Sequence, residues 1–239
     1  MFPILWIHGF PLSSAMFEPQ KRIAGYRHLC PDLRGFGSAE PPRGETSMAS
    51  YSRDLLDYLD REHVERCVLA GFSMGGYIAM QMLRDAPQRF AALLLLDTRE
   101  TADTDEGRAN RLKQAEEVAR SGTKSVIDAM LPKMVAQDAY RNDVRRIMET
   151  ASPDGVIAAL KAMASRPDSA ETLRNAQMPA FIIVGDRDEI TPPRDAERMV
   201  SLLPNAEMAP IARAAHMANF EASEQVNNIF AAFLARALR

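Results

Sequence analysis

At 239 residues the chain is long enough for one large domain, or one domain with an insertion, at about 150 residues per domain. Hydrophobic residues at 46% and charged residues at 26% are the balance of a globular protein, and 12 glycines and 15 prolines are too few for a low-complexity or collagenous chain. A formal net charge of −3 argues against a nucleic-acid-binding surface, and the longest apolar run, Phe90 to Leu96, falls far short of the ~20 residues of a bilayer span. The start, MFPILWIHGF, has neither a basic leader nor a cleavage-site pattern, and two cysteines cannot make a disulfide framework. The expectation is a cytoplasmic protein without nucleic-acid or membrane partners.

In chain order, Pro3 to Ile7 (PILWI) opens a series of continuous apolar runs, followed by Cys67 to Ala70, Ala91 to Leu96 and Phe181 to Val184. Runs of this length without alternation predict strands buried on both faces, as in a parallel sheet covered by helices. Arg27 to Cys30 and Ala206 to Ala209 are weaker strand candidates, each stopped by a proline. Between the strands, Met48 to Arg61 places Met48, Tyr51, Leu55, Tyr58 and Leu59 on one helical stripe, and Met74 to Asp85 continues directly from a strand. From about 100 to 170 no strand is legible: residues 106–120, 123–135, 139–151 and 153–165 read as helices, with Pro132, Ser152–Pro153 and Gly155 as boundaries. The acidic DTDEGR (103–108) reads as a solvated helix start. Ser223 to Leu238, with Ser223 as N-cap, closes the chain as a helix. The fold class is therefore α/β: a doubly wound, mainly parallel sheet of about six strands in the order 2-1-3-4-5-6, with 1–99 and 171–239 as the core domain. Residues 100–170 form a helical insertion expected to cover the carboxyl ends of the strands.

Gly71-Phe72-Ser73-Met74-Gly75 matches G-x-S-x-G between a strand and a helix, a turn that lifts a serine hydroxyl above the sheet with a helix N-terminus behind it. His8-Gly9-Phe10 follows the first strand, so Phe10 N–H and Met74 N–H can converge as an oxyanion hole, with the His8 side chain structural. A serine nucleophile needs a base. Of the four histidines, His28 and His63 read as packing or surface residues, while His216 lies in a loop between the last strand and the last helix. For the acid that orients His216, Asp188 in GDRDEITPP has the reach; Asp97, at the end of ALLLL, and Asp186 compete. Among the 14 methionines, Met130, Met134, Met148 and Met163 lie in the insertion and Met217 adjoins His216. Core filling accounts for most of them, and an adaptable acyl pocket for some. Cys30 and Cys67 sit on predicted strands about 9.6 Å apart, beyond disulfide reach, and read as buried thiols without function. No Cys/His spacing suits zinc, no phosphate-binding loop is present, and RGFGSA (34–39) has too few glycines for a dinucleotide, so no cofactor is expected.

The segments HGFPLSSAMF (8–17), PDLRGFGSA (31–39), GFSMGG (71–76), LLLLDTRETADT (93–104), GDRDEITPP (185–193) and AHMANFE (215–221) resemble the α/β-hydrolase fold superfamily over nearly the full length. The HGFPL start, the LxDTR…DT run and the RPDS segment (166–169) are similar to its carboxylesterase and 3-oxoadipate enol-lactonase-like group. The resemblance implies a Ser73, Asp188, His216 triad in the Ser…Asp…His order, with Phe10 and Met74 as oxyanion donors. Three departures stand out. The usual opening antiparallel strand pair is missing, which leaves a sheet edge open to self-association; Ser38 comes one place early, with Ala39 in its stead; and Ala215 replaces the glycine before His216. Relatives that form alkyl esters, the epoxide hydrolases and haloalkane dehalogenases, carry aspartate where Ser73 stands. The expected activity is a carboxylesterase cleaving small, fairly apolar esters through an acyl-enzyme. The alternatives are an enol-lactone-type lactonase, a cofactor-free perhydrolase and a non-catalytic ligand receptor. The partner is a small ester or lactone.

Overall fold

A computed structural model describes residues 2–239. Its centre is a six-stranded sheet made of β1 (Ile4–Ile7), β2 (His28–Leu29), β3 (Cys67–Phe72), β4 (Phe90–Leu96), β5 (Ala180–Gly185) and β6 (Ala206–Ile211). The spatial order is β2-β1-β3-β4-β5-β6, and every neighbouring pair is parallel. Alternate side chains enter two separate cores. Leu5, Ile7, Leu69, Leu93, Leu95 and Ile182 face α1 (Met48–Arg61) and α2 (Met74–Asp85). Ile4, Trp6, Val68, Leu94, Leu96 and Ile183 face the carboxy-terminal helix. Both faces are dry, which is why these strands read as unbroken apolar runs.

Between β4 and β5 come α3 (Asp105–Ser121), α4 (Lys124–Met134), α5 (Arg141–Met148), α6 (Pro153–Ala164) and the short α7 (Ala170–Asn175). The chain then gives α8 (Pro193–Leu202), β6, α9 (Ala218–Glu221) and α10 (Ser223–Ala237). Thr104 caps α3, its hydroxyl accepting from Gly107 N–H at 3.1 Å, and Ser152 caps α6 through Gly155 N–H at 3.0 Å. The insertion is bonded to the sheet's loops at several points. Ser152 donates its N–H to Gly35 O at 2.8 Å, and Met134 O accepts from Met217 N–H at 2.8 Å. Buried Arg166 donates to Thr101 O at 2.9 Å, pairs with Asp103 at 2.8 Å and stacks 4.1 Å over the Tyr77 ring of α2.

Several local expectations change. Asp103 is not solvated: it sits between Arg111 and Arg166, because the loop entering α3 folds back onto the core. Pro132 does not end α4, which runs on to Met134; a proline in the last turn removes a single amide from the ladder. β6 likewise runs through Pro210, tolerated on an edge strand whose free side needs no donor. Ser223 is the first helical residue of α10 rather than its N-cap, since the preceding turn of α9 abuts it directly. Cys30 lies just past β2 and is half-buried, whereas Cys67 is fully buried on β3.

Candidate active site

All six strands point the same way, so the loops after β1, β3, β4, β5 and β6 meet on one side of the sheet. Ser73 occupies the turn from β3 into α2 with φ 50° and ψ −115°, a strained conformation for a residue with a Cβ. Its neighbours hold it there: Ser73 N–H donates to Leu96 O at 2.9 Å, and Ser73 O accepts from Gly76 N–H at 2.8 Å and from the Thr98 hydroxyl at 2.7 Å. The turn is possible because Gly75 lies against β1. A Cβ built at Gly75 would stand 2.0 Å from Ile7 O.

The Ser73 hydroxyl lies 2.9 Å from His216 Nε2, and His216 Nδ1 lies 2.8 Å from Asp188 Oδ2. A carboxylate only accepts, so Nδ1 carries the ring proton and Nε2 presents its lone pair to the Ser73 O–H. Asp188 Oδ2 also accepts from the Thr191 hydroxyl at 2.6 Å, and Oδ1 accepts the N–H groups of Ile190 and Thr191 at 2.8 and 3.0 Å. Burial by itself would raise the Asp188 carboxyl, but the neighbouring His216 and the Thr191 bonds outweigh it and hold it below the ordinary carboxylate range. The three groups are almost sealed: Ser73 is 8% exposed, Asp188 3% and His216 0%.

The competing residues take other places. Asp97, fully buried with φ 44°, accepts Gly185 N–H at 2.8 Å through Oδ1, and its Oδ2 has no partner. Burial first, and then the charge of Asp188, push its carboxyl well above the usual range. Asp186 is exposed and caps a turn by accepting Arg213 N–H at 2.8 Å. His28 accepts the Trp6 indole N–H at 3.0 Å, and His63 is exposed just beyond α1. His8 is buried; its Nε2 accepts Leu33 N–H at 2.9 Å, so Nδ1–H donates to Gly9 O at 3.0 Å. Burial lowers the His8 ring to about 4, the bond to Gly9 offsetting only part of that. This neutral ring braces the loop that carries Phe10. Gly9 presses on the turn that carries Ser73: a Cβ there would stand 2.6 Å from the Phe72 ring and 3.0 Å from Ser73 Cβ.

Thr191, Thr98 and Glu221 are contributors that sequence reasoning missed. Thr191 had a local signal, a hydroxyl three residues after Asp188 where a turn can return it to the carboxylate. Thr98 and the Glu221 bond to Gln137 had none, because those partners are distant in sequence; Ala215, the other partner of Glu221, is only six residues away. Among the described residues no group of three or more His, Cys, Asp or Glu could hold a metal ion, and no helix is long and apolar enough to cross a membrane.

A parallel sheet with a strained serine above it, backed by a buried imidazole and carboxylate, has the plan of an α/β hydrolase. The family model for the alpha/beta hydrolase fold matches residues 3–223, and the chain belongs to that family. A thermophilic esterase from Thermogutta terrifontis superposes with a TM-score of 0.95 at 32% identity, covering 99% of this chain and 90% of the other. An AB hydrolase superfamily protein of Bacillus subtilis is 28% identical over 97% of this chain and 91% of its own length. The 3-oxoadipate enol-lactonase 1 of Acinetobacter baylyi is 25% identical over 97% of this chain and 88% of its own.

Proposed function

We propose that the protein is a carboxylesterase acting on small, fairly apolar esters through an acyl-enzyme on Ser73. The observation that carries this reading is the continuous line Ser73 Oγ, His216, Asp188, with contacts of 2.9 and 2.8 Å. His216 Nε2 takes the Ser73 proton as Oγ attacks the ester carbonyl, and the imidazolium so formed is stabilised by Asp188. The carbonyl oxygen becomes an oxyanion between Phe10 N–H and Met74 N–H, the second at the positive end of α2. His216 then returns the proton to the leaving alkoxide. Water, deprotonated by the same nitrogen, releases the acid and restores Ser73. In this reading residues 100–170 are a cap that closes the acyl pocket.

A lactone presents the same carbonyl in a ring. The similarity to a 3-oxoadipate enol-lactonase supports an enol-lactone hydrolase as the second reading. A chromogenic ester series with acyl chains of about two to twelve carbons, run beside an enol-lactone, separates the two. Ser73→Ala should reduce hydrolysis to background, and a serine-directed phosphonate should label Ser73 alone. More than a few per cent of activity left in Ser73→Ala removes the nucleophile.

A further inference from the structure

We infer that Glu221 is a positioning residue that sets the His216 backbone and couples it to the helical insertion. This rests on the reading of His216 as the base. Glu221 ends α9 and is buried, and its two carboxylate oxygens serve different parts of the chain. Oε2 accepts the N–H of Ala215 at 2.7 Å, and Oε1 accepts the N–H of Gln137, beyond α4, at 2.9 Å. On the other side of the histidine, Met217 donates its N–H to Met134 O at 2.8 Å, and Met217 O accepts Glu221 N–H at 3.0 Å. His216 is thus held from both flanks by residues tied to the stretch 134–137, one directly and one through Glu221.

The chemistry suits a carboxylate. Two amide donors converge from two segments, and only a group with two acceptor oxygens answers both; an amide would turn a second N–H toward a donor. An aspartate, shorter by one methylene, does not span the same gap from the end of α9. Gln137 lies in the insertion between α4 and α5, and its position is handed to Ala215, the residue before His216, through one carboxylate. Glu221 acts on backbone amides, so its loss should leave the three reacting side chains in place but misaligned.

The test measures kcat and KM on a short-chain chromogenic ester, the rate of phosphonate labelling, and the melting temperature. The proteins are the wild type, Ser73→Ala, Glu221→Gln, Gln137→Pro and the double variant. Gln137→Pro removes the insertion's donor at an exposed position; it also draws φ from −100° toward about −65°, so its melting temperature is read beside its kcat. Glu221→Gln should lower kcat and labelling about 10- to 100-fold with KM within about threefold, at temperatures well below its melting point. Gln137→Pro should shift kcat the same way by about 3- to 10-fold, and the double variant should be no slower than Glu221→Gln. Wild-type kcat in Glu221→Gln overturns the inference, as does a loss confined to KM. A normal kcat in Gln137→Pro, or losses that multiply in the double variant, overturns the coupling. If Glu221→Gln does not fold, Gln137→Pro decides the outcome alone. Activity surviving in Ser73→Ala faults the reading of the nucleophile instead; its loss there beside full kcat in the other two faults only Glu221.

Discussion

Two buried carboxyls at the ends of neighbouring strands, Asp188 and Asp97, are driven in opposite directions by their surroundings. Asp188 has four hydrogen-bond donors around its two oxygens, counting the imidazole; Asp97 lies as deep with one oxygen unpartnered. Asp188→Asn should keep the fold but lower turnover by up to about 10⁴, because the amide can hold His216 in the wrong tautomer. Asp97→Asn should cost far less. Steady-state kinetics on one ester decides, and the reverse pattern transfers the acid to Asp97. The two variants also differ in stability. Asp97 keeps its proton in the native state at pH values where the unfolded chain releases it, so wild-type stability falls as pH rises through that window. Asparagine does not titrate, so Asp97→Asn should gain on the wild type as the pH is raised. His8 has the opposite sign. Its ring titrates at 6.5 when unfolded and at about 4 when native, so stability is full above pH 6.5 and is lost as the pH falls toward 4. The loss is about 3 kcal/mol, at 1.36 kcal/mol per unit. Urea unfolding of His8→Gln against the wild type across that range should show the difference shrinking toward acid; parallel curves would refute it.

The element that matters most is the turn from β3 into α2. The tight join lets α2 begin directly behind Ser73, which in the proposed mechanism aims its first amides at the substrate oxygen. It also requires the start of α2 to lie on β1, and Gly75 is where they touch. Gly75→Ala puts a methyl group 2.0 Å from Ile7 O, which neither a strand nor a helix start can move away from cheaply. We expect a loss of about 1–3 kcal/mol in stability, with a larger loss of kcat as Met74 N–H and the Ser73 hydroxyl shift together. Thermal melts and kinetics on the purified variant check both. A variant as stable and active as the wild type would mean the contact is looser than it stands here.

At the scale of the whole molecule, the insertion and the sheet share their fastenings. Arg166 joins the end of the insertion to its beginning at Thr101 and Asp103, and stacks on α2. Trp6, the one tryptophan, lies in the core between Phe17 and Phe230, with ring centroids 5.1 and 6.2 Å away. Its fluorescence therefore reports the sheet, while far-ultraviolet circular dichroism also counts the helices of the insertion. The two signals should lose structure in one coincident urea transition. Arg166→Ala, which leaves Asp103 with Arg111 alone, should move that transition down by about 3 kcal/mol. Separate midpoints for the two probes would show that the insertion unfolds on its own.

Most of this was legible in the residues. The apolar runs at Ile4–Ile7, Cys67–Phe72, Phe90–Leu96 and Ala180–Gly185 announced a sheet buried on both faces, because hydrophobic burial acts on each strand locally. Right-handed crossovers then left the strand order observed. The motif around Ser73 was local too. The acid was less open: reach and resemblance favoured Asp188 while Asp97 and Asp186 competed, and the fold puts Asp188 Oδ2 2.8 Å from His216 Nδ1 and Asp97 against Gly185 N–H. The same limit hid the buried ion pairs of Asp103, and it hid Glu221, whose carboxylate joins residues 137 and 215. Local propensity and burial pattern depend on neighbours along the chain, so a sequence carries them openly. Pairings between polar groups far apart in the chain depend on directions and distances that exist only once the chain is folded.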